Sequence, residues 1–182
     1  PEGRVPLLEL TTGQVLAESN AILFYLADGT PFLPADPVQR AETLRWMFFE
    51  QNNHEPGIAQ ARFWLRQVRG GRDLRTHDVD RWMEEGYGAL RVMERHLANR
   101  AFFVADVLTI ADIALYAHTD IAHEGDFDLA GLPAVRQWLQ RVASHPGHVD
   151  MGWEPVEVQT GVFASDTSAF VASGSRWRDA SH

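Results

Sequence analysis

Glu18-Ser19 stands directly before Asn20-Ala21-Ile22-Leu23, and Ser19 reads there as a helix N-cap. Free N–H groups at a helix N-terminus favour negative charge, so an anion is the ligand this position could hold. Thr109-Ile110-Ala111-Asp112 has the spacing of a capping box, with Asp112 in the usual Glu position and Leu108 and Ile113 as its hydrophobic staple. Thr109 and Asp112 are therefore assigned to folding rather than to chemistry. His54-Glu55 lacks the second histidine of H-E-x-x-H, because position 58 is Ile. His118 and His123 are five apart and do not stack on one helical face. No metal site is expected. No Gly-rich phosphate loop and no nucleophile elbow is present in the sequence, and Gly70-Gly71 reads as a loop.

Composition narrows the chemistry further. The 182 residues contain no cysteine, which removes a disulfide framework, a thiolate zinc site and a cysteine nucleophile within them. All 16 basic residues are arginine, so a Schiff-base lysine and a P-loop lysine are also excluded. Against 25 acidic residues they leave a net charge of -9, which opposes binding to nucleic acid or to an anionic membrane. No apolar stretch approaches the roughly 20 residues of a membrane-spanning helix. At about 150 residues per domain the length suits one domain, or one plus a fragment.

The elements that must position these residues are mostly helical. Val5 to Leu10 and Val15 to Ala17 read as a short β-hairpin around Thr11-Thr12-Gly13-Gln14. A helix over Asn20 to Ala27 follows, with Ile22, Leu23 and Leu26 on its apolar face. Pro31, Pro34 and Pro37 mark an extended linker over 31–37. Asp36-Pro37 opens a long helix carrying Leu44, Met47, Phe48 and Gln51 on one face, and Pro56-Gly57 predicts a kink or break in it. Asp78 opens another helix, with Val79, Trp82, Met83, Gly86, Leu90, Met93 and Leu97 at helical spacing. The capping-box helix runs to about His123. Leu132-Pro133 opens the last helix, with Val135, Trp138, Leu139 and Val142 inward. One short helix cannot cover both faces of the hairpin, so the sheet is expected to need further strands. A chain opening on Pro1 is accordingly expected to be processed, truncated or incompletely recorded. Residues 151–182 lose helical period but keep Trp153, Phe163, Phe170 and Trp177, and are expected to drape over the domain as a tail with a frayed end.

Val5-Pro6-x-Leu8-Glu9, followed by Leu16-Ala17-Glu18-Ser19-Asn20-Ala21-Ile22-Leu23-x-Tyr25-Leu26, resembles the second half of the thioredoxin-like domain of a bacterial glutathione S-transferase. Phe103 to Leu115 is similar to the capping-box segment of that family's helical domain. So is Arg45-Trp46-Met47-Phe48-Phe49-Glu50-Gln51, with His54-Glu55-Pro56 and Ala61-Arg62-Phe63-Trp64. The match covers about residues 1 to 150. Ala105 departs from it, standing where the family often has glycine before an aspartate.

The resemblance implies an α+β fold, mostly α. A partial thioredoxin-like domain (1–30, hairpin plus helix) would be followed by a linker (31–37), an all-helical bundle (38–150) and the tail (151–182). It implies glutathione as co-substrate and no metal cofactor. Ser19 would hold the γ-glutamyl carboxylate and Glu18 would pair with the γ-glutamyl amino group. Pro6, implied to be cis, would leave the Val5 N–H and C=O free to pair with the cysteinyl part. Read without the family, the same residues are a cap, a solvated charge and a trans edge-strand proline. The family's thiol-activating Tyr, Ser or Cys is expected upstream of Pro1, and Tyr25, Tyr87 and Tyr116 read as packing residues. The acceptor wall is expected on the first long helix, at Glu50, Asn53, His54 and Arg62. A cytoplasmic homodimer acting on a small electrophile follows, with Arg40, Arg45 and Phe48-Phe49 as interface members. The competing expectations are a non-catalytic binding or assembly module and an inactive truncated form.

Overall fold

A computed structural model describes residue 3 and residues 5–149; the tail expectation falls outside them. Strands β1 (Leu7–Glu9) and β2 (Val15–Ala17) pair antiparallel with Leu8 opposite Leu16. The turn closes with Leu10 N–H on the Gln14 carbonyl at 2.8 Å, and Gly13 takes the φ of +80° that glycine tolerates best. Pairing starts at Leu7 rather than Val5, consistent with the missing N–H of Pro6. Leu7 and Val15 remain about half exposed on the open face of this hairpin.

Helix α1 (Ser19–Ala27) begins one residue before the expected start. Glu18 sits at φ +70° and its carbonyl accepts from the Ile22 N–H at 3.0 Å. That bond makes Glu18 the cap residue and Ser19 the first helical residue, so the reading of Ser19 as N-cap is corrected. No side chain caps this helix. Leu23, Phe24 and Ala27 pack towards the core, whereas Leu26 is exposed, against expectation. The Arg40 guanidinium lies 4.9 Å from the Phe24 ring centre and pairs with Asp28 at 2.9 Å. Those two contacts fix α1 against the next helix.

Asp36 caps α2 (Pro37–Phe49), its Oδ1 accepting from Val38 and Gln39 N–H. The buried face of α2 is Thr43, Trp46 and Met47, and Phe48 points outward, which corrects the face assigned to it. The chain does not break at Pro56-Gly57. A π-helical turn (Glu50–His54) leads into α3 (Glu55–Arg62), with Glu55 N–H bonded to the Glu50 carbonyl five residues back. A wider turn ahead of Pro56 absorbs the bond that proline cannot donate, so a bulge replaces the kink. A second π turn (Phe63–Gln67) follows. Gly71 is not simply a loop residue but opens the short helix α4 (Gly71–Leu74), and its Cα packs so closely on the Trp64 carbonyl that a Cβ would collide.

Helix α5 (Thr76–Leu97) starts two residues before Asp78 and buries Val79, Gly86, Leu90, Met93 and Leu97 as the periodicity required. α6 (Ile110–Asp120) begins at the predicted capping box, with Thr109 N–H to Asp112 Oδ2 at 2.9 Å. It stops at Asp120, short of His123, which lies in a 3₁₀ turn (Ala122–Gly125). α7 (Pro133–Ala143) buries Val135, Trp138 and Val142. Its first turn takes Glu94 of α5 as a cap, with Ala134 and Val135 N–H donating to the two carboxylate oxygens at 3.0 and 2.9 Å. α5 runs through the middle, between α3 and α7, and the core lies where these three meet α2 and α6.

Candidate functional site

A cavity of about 360 Å³ opens between the hairpin end and the helical bundle. Pro6, Ser19 and Asn20 border it on one side. Glu50, Gln51 and Glu55 of the π turn and the start of α3 border it on another, and Ile113, Ala114, Ala117 and His118 of α6 close it. The hairpin delivers its part through the Val5–Pro6 peptide, which is cis as the resemblance implied. Val5 is 90% exposed, with its backbone outside the strand ladder. Glu18 and Ser19 are exposed at the start of α1, whose first N–H groups no side chain occupies.

The polar side of the cavity is built on Glu50. This carboxylate is buried, and its Oε2 accepts from Asn20 Nδ2 at 3.0 Å and from Gln51 Nε2 at 2.9 Å. The same Gln51 amide donates to Glu55 Oε2 at 2.6 Å. Burial pushes the Glu50 carboxyl above its ordinary range, the bonds from Gln51 and Asn20 pull it back, and the Glu55 charge raises it further. Asn20 also reaches the Met47 carbonyl at 3.3 Å, so α1 is tied to α2 at the cavity edge.

Of the four acceptor-wall candidates only Glu50 borders the cavity. Asn53 is exposed elsewhere on the helix. His54 is fully buried, its Nε2 bonded to Thr119 Oγ1 at 2.8 Å. The Thr119 hydroxyl donates to the Leu115 carbonyl at 2.7 Å, so its oxygen accepts from His54 Nε2–H, and among the described residues Nδ1 has no partner. Burial, and then the nearby His118, push the His54 imidazole down to about 3. Arg62 is committed to Glu124 at 2.6 Å. Two of the three tyrosines are engaged: the Tyr87 oxygen accepts from the Asp128 N–H at 2.8 Å and the Tyr116 hydroxyl meets His148 Nε2 at 3.0 Å, whereas Tyr25 is exposed, which corrects its reading as a packing residue.

Sequence reasoning missed Asn20, Gln51, Glu55 and His118 as cavity residues. Glu50 and Glu55 are five apart, a spacing that does not share a face of an α-helix but does in a π turn. His118 was set aside because it does not stack with His123. The residues it meets come from another helix: ligand atoms of Glu50, Glu55 and His118 all lie within 4.8 Å of one another. Burial lowers the His118 imidazole from its ordinary range, and the Glu55 charge partly restores it.

Two family models match this chain. The N-terminal domain of glutathione S-transferase matches residues 1–28 and its C-terminal domain matches residues 69–146. A crystal structure of a possible glutathione S-transferase from Rhodopseudomonas palustris is 53% identical, with a TM-score of 0.81 over 96% of this chain and 75% of that one. A glutathione transferase from Pseudomonas putida, solved with one glutathione disulfide bound per subunit, is 30% identical with a TM-score of 0.65, over 75% of this chain and 62% of that one. Among curated relatives, the disulfide-bond oxidoreductase YfcG of Escherichia coli is 30% identical over 72% of this chain. The chain spans 60% of that relative's length. A cis-proline entering a hairpin that leads into a helix, set against a bundle with a buried capping box, and matched by both family models and by a solved structure at 53% identity, makes this chain a member of the glutathione S-transferase family.

Proposed function

We propose that the corner formed by Val5, Pro6, Glu18 and Ser19 binds glutathione and that the protein uses the glutathione thiol on small electrophiles. The observation that carries this reading is the start of α1: Ser19 borders the cavity, and no side chain caps the helix N-terminus beside it. An anionic γ-glutamyl carboxylate suits that N-terminus. Glu18 is exposed beside it to meet an amino group, and the free Val5 backbone offers a strand-like pair to the cysteinyl unit. The chemistry is nucleophilic attack by a thiolate. The acceptor lies across the cavity, between Glu50 and the apolar side chains of Ile22, Leu23 and Ile113.

Under this reading residues 1–30 are the glutathione-binding unit, 31–37 the linker and 38–150 the helical domain, and the protein is a cytoplasmic homodimer with a role in detoxification. Exposed Tyr25, Leu26, Val38 and Phe48 supply apolar surface for self-association. No helix among the described residues is long and apolar enough to cross a membrane.

Thiol–disulfide exchange is the second reading. It is favoured by the YfcG match and by the glutathione disulfide bound in the Pseudomonas putida neighbour. Calorimetric titration with glutathione tests the shared part. Ser19→Ala is expected to weaken binding about tenfold, the effect of losing one hydrogen bond to a charged group. Unchanged affinity would remove Ser19 from the site. Turnover of a chloronitrobenzene with glutathione supports the transferase reading, reduction of a small mixed disulfide the exchange reading, and binding without either a non-catalytic module.

A further inference from the structure

We propose that Glu50, Glu55 and His118 form a binding site for one first-row divalent cation, of the zinc or manganese class, on the cavity wall. The three residues come from two elements. Glu50 and Glu55 flank the π turn, and His118 projects from α6 across from them.

Several observations converge on a cation. The two carboxylates share one amide donor, Gln51 Nε2, through their Oε2 atoms, and among the described residues no arginine forms an ion pair with either. Glu50 is only 3% exposed and borders the cavity, and among the described residues its Oε1 accepts no hydrogen bond. Among the described residues Glu55 Oε1 likewise accepts no hydrogen bond. The His118 ring makes no hydrogen bond among the described residues; its neighbour is the His54 ring at 6.5 Å. Two buried or half-buried negative charges beside an unused imidazole lack only a positive charge.

The geometry accommodates one. Ligand atoms of a tetrahedral zinc lie about 3.4 Å apart when the bonds are about 2.1 Å. The present atoms lie within 4.8 Å of one another, so rotation of the Glu55 and His118 side chains by about an ångström closes the site. The cavity leaves room for water or a substrate atom in the remaining positions. An imidazole nitrogen with two carboxylates prefers zinc or manganese over magnesium and calcium, which favour all-oxygen sites.

The test needs neither glutathione nor an electrophile. The chelator-treated full chain is titrated with Zn²⁺ by calorimetry, with Mg²⁺ as control, and with Co²⁺ while visible absorption is followed. One Zn²⁺ per chain is expected, together with a Co²⁺ spectrum of low-coordinate nitrogen–oxygen ligation and no comparable Mg²⁺ binding. Glu55→Gln, which preserves shape at a half-buried position, and His118→Asn should each lower Zn²⁺ affinity about tenfold or more. His123→Asn, outside the cavity, should not. Circular dichroism establishes that each variant is folded, and the Co²⁺ spectrum of the unmutated chain stands if one is not. Equal Zn²⁺ affinity in all variants would mean adventitious binding by surface histidines and would overturn the proposal. So would absence of stoichiometric binding, which would leave a shared proton as the counter-charge of Glu50 and Glu55.

Discussion

The indole N–H of Trp138 donates to Asp112 Oδ1 at 2.9 Å, joining α7 to α6 inside the core. Both side chains are fully buried. The same Oδ1 accepts from the Phe103 N–H at 3.1 Å, and Oδ2 accepts from the Thr109 N–H and hydroxyl at 2.9 Å each. Asp112 is thus more than the second half of a capping box. It satisfies a helix start, a loop amide and an indole with one carboxylate.

Asp112→Ala is therefore expected to cost more than an ordinary cap. Four buried donors lose their acceptor at about 1–3 kcal/mol each, and with partial relaxation the loss should be about 3–5 kcal/mol. Trp138→Phe removes one donor and replaces the buried indole with a smaller phenyl ring, and should cost about 2–3 kcal/mol. Guanidinium unfolding of both variants checks this. A loss below about 1 kcal/mol for Asp112→Ala would show that water replaces the carboxylate.

The capping box itself was legible in four residues, because its partners are local. Trp138 was legible as a core residue from its spacing with Val135 and Val142. That the two meet was not, since 26 residues separate them. The site divides along the same line. Val5-Pro6 and Glu18-Ser19 are two adjacent pairs joined by one short hairpin, so local sequence could place them together, and their role there is the one proposed above. Glu55 and His118 were missed because a π turn and a helix 63 residues away bring them together, and neither leaves a periodic mark. Arg62 and His54 looked like candidates only because their partners, half-buried Glu124 and buried Thr119, lie 62 and 65 residues on.

His54 sets an acid limit to stability. Its imidazole is neutral when folded, lowered from 6.5 to about 3 by burial and by His118. The unfolded chain therefore binds a proton that the folded one does not between these values. The contribution of His54 is complete above pH 6.5 and is lost as pH falls through this window, at up to about 1.4 kcal/mol per pH unit. Half-buried His96 and His118, also lowered, act in the same direction. Glu50 and Asp112 are raised, chiefly by burial, and act oppositely at the acidic end. His54→Gln should flatten the fall in stability between pH 6.5 and 4.5, measured by urea unfolding at each pH. An unchanged slope would assign the proton uptake elsewhere.

Helices α3 and α5 cross at glycine. A Cβ on Gly57 would lie 2.5 Å from the Gly86 nitrogen and 2.9 Å from the Trp82 carbonyl oxygen, all backbone. Gly57→Ala must push the helices apart and should cost about 3 kcal/mol, the upper end for overpacking. A Cβ on Gly86 meets the Phe127 ring at 2.6 Å, and that ring is itself buried. Gly86→Ala should therefore also destabilise. Gly88 faces open space in the same helix, and Gly88→Ala should raise stability by about 0.5–1 kcal/mol through helix propensity. Thermal melts of the three variants give the order, and a stable Gly57→Ala would contradict the close crossing.

Ala105 departs from what the family resemblance implies at this position, and its backbone is unusual as well. Ala105 and Asp106 both sit at φ +52°, in the left-handed region. Asp106 earns its place, because its Oδ1 accepts from the Ala101 N–H at 2.8 Å and closes the loop before α6. Ala105 makes no such bond, so its Cβ brings the steric cost of positive φ without compensation. Ala105→Gly removes that cost but gives the unfolded chain more freedom, and the two effects oppose each other. Where φ is positive the steric part is the larger, so a net gain of about 0.5–1 kcal/mol is expected. Asp106→Gly relieves the same strain but frees the Ala101 amide, and should gain nothing or lose stability. Guanidinium unfolding of the two variants side by side decides the point, and a loss of stability in Ala105→Gly would mean that the loop holds its shape for a reason other than the Asp106 bond.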